Sequence, residues 1–239
     1  LLLVTATAQP QWLGEPLELP VSGRDLVMAV DLSGSMKTPD FVLEGETVDR
    51  LTALKKVAVE FIRRRQGDRI GLILFADQAY VQTPLTFDRQ TVEKLLLEAV
   101  LGLAGEKTAI GDAIGLAVKR LQEAKAKQRL VILLTDGANT AGQVSPIKAA
   151  ELASREGLKI YTIGIGADEM TVGSFFFERK VDPSADLDED TLRAIADQTG
   201  GRYFRARDAE SLEKIYEILD ELEPVESDVE TIRPVDELF

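Results

Sequence analysis

Four short, largely apolar runs punctuate the chain: Leu26–Val30, Ile70–Phe75, Leu130–Leu134 and Ile160–Ile165. Continuous apolar runs of this length are what a strand buried on both faces requires. Amphipathic helical patterning lies between them, over about 51–65, 89–101, 109–125 and 145–156. Strands alternating with helices predict an α/β domain with a doubly wound, mostly parallel six-stranded sheet and helices on both faces. Ala79–Gln82 follows the second run after only Asp77 and Gln78. A parallel crossover needs a dozen residues or more, so this segment is expected to be an antiparallel edge strand. A helix over Asp190–Gln198, a turn at Gly200-Gly201, a last strand over Arg202–Arg205 and a closing helix over Ala209–Leu222 complete the pattern.

Two stretches break the rhythm. Lys37–Asp49 is polar and carries Pro39 and Gly45, and is expected to be a loop. Residues 167–187 exceed an ordinary connection and are expected to hold a hairpin-like insertion. Phe175, Phe176 and Phe177 at its centre either lie half-buried on the domain or form an exposed patch that contacts a partner.

Composition changes the picture by exclusion. The 239 residues include no cysteine and no histidine, which removes disulfides, thiolate nucleophiles, the commonest general base and the commonest transition-metal ligand. Any metal here sits among oxygens and is a hard cation. Asp and Glu number 41 against 28 Lys and Arg, a net charge of −13 that repels phosphate backbones and excludes nucleic acid as a partner. Because the chain begins on leucine, it is expected to be a fragment or a processed product. Leu1–Val4, followed by Thr5–Pro10, is expected to be the exit of a membrane helix or the end of a signal peptide, the alternative being a frayed terminus.

Ligands of open α/β sheets bind beyond the carboxyl ends of the strands, at the point where the topology switches direction. Three loops there offer oxygen donors only: Asp31-Leu32-Ser33-Gly34-Ser35 after the first strand, Thr108 ahead of a helix, and Thr135-Asp136-Gly137 after the third. Two carboxylates, Asp31 and Asp136, with the hydroxyls of Ser33, Ser35 and Thr108 suit Mg²⁺ or Mn²⁺, which keep several waters and need few protein charges. A water-filled coordination position would then accept a carboxylate from another molecule. Taken singly, each group also reads as a turn residue or helix cap. An enzyme reading, phosphoryl transfer or hydrolysis on a Rossmann-like sheet, stands beside the binding one. It lacks a G-x-x-x-x-G-K-[ST] loop, a complete dinucleotide fingerprint and any histidine base. A structural module with a vestigial site is the third alternative.

The D-x-S-x-S, Thr and Asp pattern resembles the metal-ion-dependent adhesion site of the von Willebrand factor type A domain, over about Arg24 to Leu222. The resemblance implies that Asp31, Ser33, Ser35, Thr108 and Asp136 hold Mg²⁺, Mn²⁺ or Ca²⁺, that a partner protein presents Asp or Glu to the metal, and that the domain is not an enzyme. Asp25–Met36, Gly105–Ile114 and Thr191–Phe204 further resemble the bacterial Bat (aerotolerance) proteins. That similarity implies segment 1–23 following a membrane helix, a domain over 24–223, a juxtamembrane segment over 224–239, and an extracytoplasmic (periplasmic) position in an inner-membrane protein. The partners it implies are other Bat proteins and a MoxR-type AAA+ ATPase system.

Overall fold

The computed structural model describes residues 11–13, 17–21, 23–102, 104–124, 126, 128–174, 177–223, 228–232 and 235–237. Strands β1 (Gln11–Leu13) and β2 (Leu17–Val21) precede β3 (Asp25–Asp31), β4 (Phe41–Leu43), β5 (Glu46–Val48) and helix α1 (Arg50–Arg64). Then come β6 (Arg69–Phe75), β7 (Ala79–Thr86), α2 (Arg89–Leu97), α3 (Ile110–Gln122), β8 (Arg129–Thr135), α4 (Pro146–Arg155) and β9 (Lys159–Ile165). The chain continues through β10 (Met170–Ser174), β11 (Phe177–Val181), α5 (Glu189–Gln198), β12 (Tyr203–Ala206), α6 (Ala209–Leu222), β13 (Asp228–Ile232) and β14 (Val235–Glu237).

The main sheet has six strands in the order β12-β9-β8-β3-β6-β7, parallel throughout except for β7, which runs antiparallel to β6 at one edge. All seven residues of β3 are buried. Period-two alternation sends Leu26, Met28 and Val30 into one core with Leu54, Phe61 and Ile62 of α1 and Leu212 and Tyr216 of α6. Val27 and Ala29 face the other core, with Ile114 and Val118 of α3 and Ala149 and Ala153 of α4. The continuous apolar runs are therefore strands with a helical layer on each side.

The elements run past or stop short of the pattern in places. The edge strand extends to Thr86, with register irregularities opposite Ile70–Ile73 and an exposed Pro84 that an edge tolerates. The helix expected over 89–101 ends at Leu97, and the one over 109–125 is Ile110–Gln122.

Lys37–Asp49 is not a plain loop. After a 3₁₀ turn over Gly34–Lys37, β4 and β5 pair as an antiparallel hairpin whose turn residues Glu44 and Gly45 both have positive φ, 53° and 88°. Two successive positive φ values match the twist of the flanking strands, and Phe41 anchors the hairpin fully buried in the core. Between β9 and α5, β10 and β11 form a second antiparallel hairpin. Phe175 and Phe176 lie outside the described residues, as does the side chain of Phe177.

The terminal segments pair with one another: β2 with β13, and β1 with β14, both antiparallel. Leu1–Ala8 lies outside the described residues. No helix among the described residues is long and apolar enough to cross a membrane.

The strand-start end of the sheet is closed by charge pairs. Arg24 grips buried Asp68 through its backbone N (3.0 Å), Nε (3.2 Å) and Nη2 (2.8 Å), while Arg65 pairs with Asp220 at 2.7 Å. Arg69 chelates Asp25 with two 2.6 Å bonds, and Glu223, capping α6, accepts from Tyr161 at 2.5 Å and from Lys159.

Candidate metal centre

Strand β3 runs to β6 on one side and pairs with β8 on the other, so the crevice beyond Asp31 and Thr135 is the topological switch point of the sheet. All five sequence-predicted donors lie around it. Asp31 is fully buried at the end of β3; its Oδ1 accepts from the Ser33 amide at 2.8 Å and its Oδ2 from the Thr135 hydroxyl at 2.5 Å. The Ser33 and Ser35 hydroxyls lie 3.1 Å apart, and Ser35 donates to Oδ1 of Asp136 at 2.6 Å. A methyl built on Gly137 would stand 3.9 Å from both Ser35 Oγ and Thr108 Oγ1, so the third hydroxyl faces the same space.

None of the hydroxyls is spent on capping. Ser33 precedes the 3₁₀ turn without a side-chain cap bond, and α3 is capped by Ala109, not by Thr108. Asp31, Ser33, Thr108 and Asp136 are buried while Ser35 is exposed, which gives a recessed site with one open side.

The loops are held by groups that spacing did not single out. Asp77 accepts from the amides of Glu106 (3.0 Å) and Lys107 (2.7 Å), fixing the approach to Thr108. Thr140 accepts from the Thr108 amide at 3.0 Å, and the amides of Thr140 and Ala141 donate to the Thr108 carbonyl. Asp112, in the first turn of α3, takes the amides of Gln143 and Val144. A Cβ on Gly111 would fall 1.8 Å from the Val144 carbonyl, so glycine alone lets the helix meet that loop.

Arg50, 1% exposed, was also missed. Its signal is a cation at the first position of α1, the end where the helix dipole disfavours positive charge unless a carboxylate is near. Nη1 donates to Oδ2 of Asp136 at 2.8 Å, and Nε and Nη2 hold Asp40. Asp40 and Asp136 keep the guanidinium charged against burial, which opposes its charge.

Burial, then the charge of Asp136, pushes Asp31 up to about 7. Burial also raises Asp136, against Ser35 and Arg50, which lower it. Two buried carboxylates, the charge of one opposing the ionisation of the other, with three hydroxyls beside them, form an all-oxygen donor set whose chemistry suits a divalent hard cation. Among the described residues no group of three or more Asp or Glu is placed to hold a metal ion, at this crevice or elsewhere. Asp31, Asp136, Asp40, Arg50 and a divalent cation together sum to neutrality.

The family model of the von Willebrand factor type A domain matches residues 25–218. An uncharacterised protein of Borreliella burgdorferi is 31% identical over 197 residues, covering 78% of this chain and 55% of its own length; the chain thus spans little more than half of that relative. Two solved structures share the fold at higher coverage. A conserved hypothetical protein, BatB, from Bacteroides thetaiotaomicron is 26% identical with a TM-score of 0.69, over 84% of this chain and 98% of its own. An aerotolerance-related membrane protein from Bacteroides fragilis is 28% identical with a TM-score of 0.67, over 82% and 98%.

Proposed function

Because the chain belongs to the von Willebrand factor type A domain family, matched over residues 25–218, we propose that its switch-point crevice is a metal-ion-dependent adhesion site that captures an acidic side chain of a partner protein. Asp31, Ser33, Ser35, Thr108 and Asp136 hold the cation, Mg²⁺ first and Mn²⁺ or Ca²⁺ as substitutes. The observation that carries this reading is the contact of Ser35 with Asp136 beside buried Asp31, all oxygen and all at one strand-end crevice. When bound, the cation supplies an electrophilic position for a carboxylate. The chain's own groups orient it: Thr135 and the Ser33 amide fix Asp31, and Thr140 fixes Thr108.

The domain acts as a binding module and not as a catalyst. No histidine is available as a base and the sequence carries no G-x-x-x-x-G-K-[ST] phosphate loop, which leaves aspartyl chemistry at Asp31 as the one enzymatic alternative to be tested. The aerotolerance-related neighbour is a membrane protein; for this domain we propose a setting on the extracytoplasmic face of a bacterial inner membrane, with other Bat proteins or a MoxR-type ATPase system as partners. A net charge of −13 suits protein partners and weighs against nucleic acid.

The test is capture from membrane extract with Mg²⁺ or with EDTA, using the intact domain and Asp31→Ala. Specific partner recovery that needs both Mg²⁺ and Asp31 supports the reading. Nucleotide hydrolysis by the intact domain that disappears in Asp31→Ala would overturn it in favour of an enzyme. A reporter placed in the Glu44-Gly45 turn of the full-length protein tests location: protection from external protease in spheroplasts puts the domain in the cytoplasm.

A further inference from the structure

Arg50 is the bulkiest of the fully buried side chains, and its contacts reach beyond the metal site. Besides Asp136, its Nη2 donates to the Pro183 carbonyl at 2.9 Å. Its partner Asp40 accepts the Ala167 amide at 3.0 Å, and the Ser184 hydroxyl donates to the Ala167 carbonyl at 2.7 Å. Ala167 and Pro183-Ser184 are the two feet of the segment that carries the β10–β11 hairpin. Gly166, with φ of 141°, lies against the same guanidinium: a Cβ there would stand 2.8 Å from Nη2 and 2.3 Å from Ser184 Oγ. One planar guanidinium thus touches a carboxylate of the metal site and, directly or through Asp40, both feet of the hairpin.

We propose that Arg50 is a positioning residue that makes the metal site and the Met170–Val181 hairpin one interaction surface. The inference rests on the metal reading above. Holding Oδ2 of Asp136 turns Oδ1 toward Ser35 and the incoming cation, so the carboxylate is oriented before the cation arrives. The pull a cation exerts on Asp136 then passes through a rigid fork to Asp40 and Pro183. Lysine cannot substitute, because a single ammonium cannot chelate Asp40 in plane while reaching Asp136 and the Pro183 carbonyl.

The experiment measures Mg²⁺ affinity by calorimetry and amide hydrogen exchange over residues 167–184, with and without saturating Mg²⁺, in the intact chain, Arg50→Lys and Asp40→Asn. In the intact chain Mg²⁺ is expected to slow exchange over 167–184 by ~3-fold or more while the far end of the edge strand, Thr83–Thr86, opposite the start of β6, is unchanged. Arg50→Lys is expected to weaken Mg²⁺ binding by ~10-fold, the scale typical of losing a residue that orients a metal ligand, and to abolish the slowing. Asp40→Asn leaves the Arg50–Asp136 and Arg50–Pro183 contacts in place and weakens the link to Ala167, so it should keep Mg²⁺ affinity and lose the slowing at the Ala167 foot while keeping it at the Pro183-Ser184 foot. Arg50→Lys with affinity and slowing both intact overturns the proposal. If that variant does not fold, Asp40→Asn decides, and undiminished slowing at the Ala167 foot there overturns it. An intact chain that binds Mg²⁺ with no change over 167–184 overturns the inference and leaves the metal reading standing; one that binds no Mg²⁺ at its native site fails both.

Discussion

Ser35 and Asp136, 101 positions apart in the chain, meet at 2.6 Å across the switch point of the sheet. Their contact closes a ring of oxygens whose members come from three loops, so the ring exists only in the folded chain. A cation that binds only this state stabilises it by about 1.4 kcal/mol at ten times its Kd, or ~3–5 °C in a domain of this size. Thermal melts should rise by that amount with Mg²⁺ and stay flat in Asp31→Ala. An equal rise in both would place the cation elsewhere.

Two glycines of α3 should respond in opposite directions to the same substitution. Gly111→Ala drives a methyl into the Val144 carbonyl and should cost about 1–3 kcal/mol in urea unfolding, with loss of order in the loop that holds Thr108. A Cβ on Gly115 meets nothing within 4 Å, so Gly115→Ala should stabilise by about 0.5–1 kcal/mol through helix propensity. Equal effects would refute the close approach at Gly111.

The charge pairs at the strand-start end make a different prediction. Asp68→Ala leaves Arg24 and Arg65 buried beside an empty position and should cost about 3–5 kcal/mol, the scale for breaking a buried ion pair from one side. Mg²⁺ affinity of the folded variant should match the intact chain, since Asp68 lies at the opposite end of the strands from Asp31. A shifted affinity would show that the two ends are coupled.

Tyr216 is fully buried, its ring tilted against Phe61 at 4.4 Å, and its hydroxyl finds no hydrogen-bond partner among the described residues. Burial pushes its ionisation far up. Tyr216→Phe removes an unsatisfied polar atom and keeps the ring, so chemical denaturation should show a gain of about 1 kcal/mol. A loss of similar size would mean that the hydroxyl has a partner in solution.

The sheet and the first loop of candidate oxygen donors were legible because both rest on local signals. Leu26–Val30 reads as a strand buried on both sides without reference to its neighbours, and Asp31, Ser33 and Ser35 are close enough in sequence to be seen together. The Phe41–Val48 hairpin was hidden because its turn is Glu44-Gly45, not one of the Asn-Gly or Asp-Gly pairs that announce such turns, and because polar residues mask a single buried anchor. Arg50 was invisible for another reason. Its partner Asp40 lies ten positions back across a hairpin and Asp136 and Pro183 lie 86 and 133 positions on, and on helical periodicity alone a charged residue at a helix start reads as solvent-facing. Asp77 and Thr140 escaped in the same way: each acts on the backbone of another loop, and no motif records a hydrogen bond to an amide.

Asp31 and Asp25 are the two ends of one strand. The first lies in the metal ring; the second adjoins Arg24, whose grip on Asp68 marks where the chain enters the domain. A load on the ring would therefore run lengthwise along β3, in shear against β6 through seven paired residues, while parallel β8, whose following Asp136 shares the ring, would be loaded in the same sense. Shear requires many hydrogen bonds to fail together, whereas peeling breaks them one at a time. The central strand is thus the tensile member of the domain, and grip at one pole is transmitted to the other without passing through a helix or a loop.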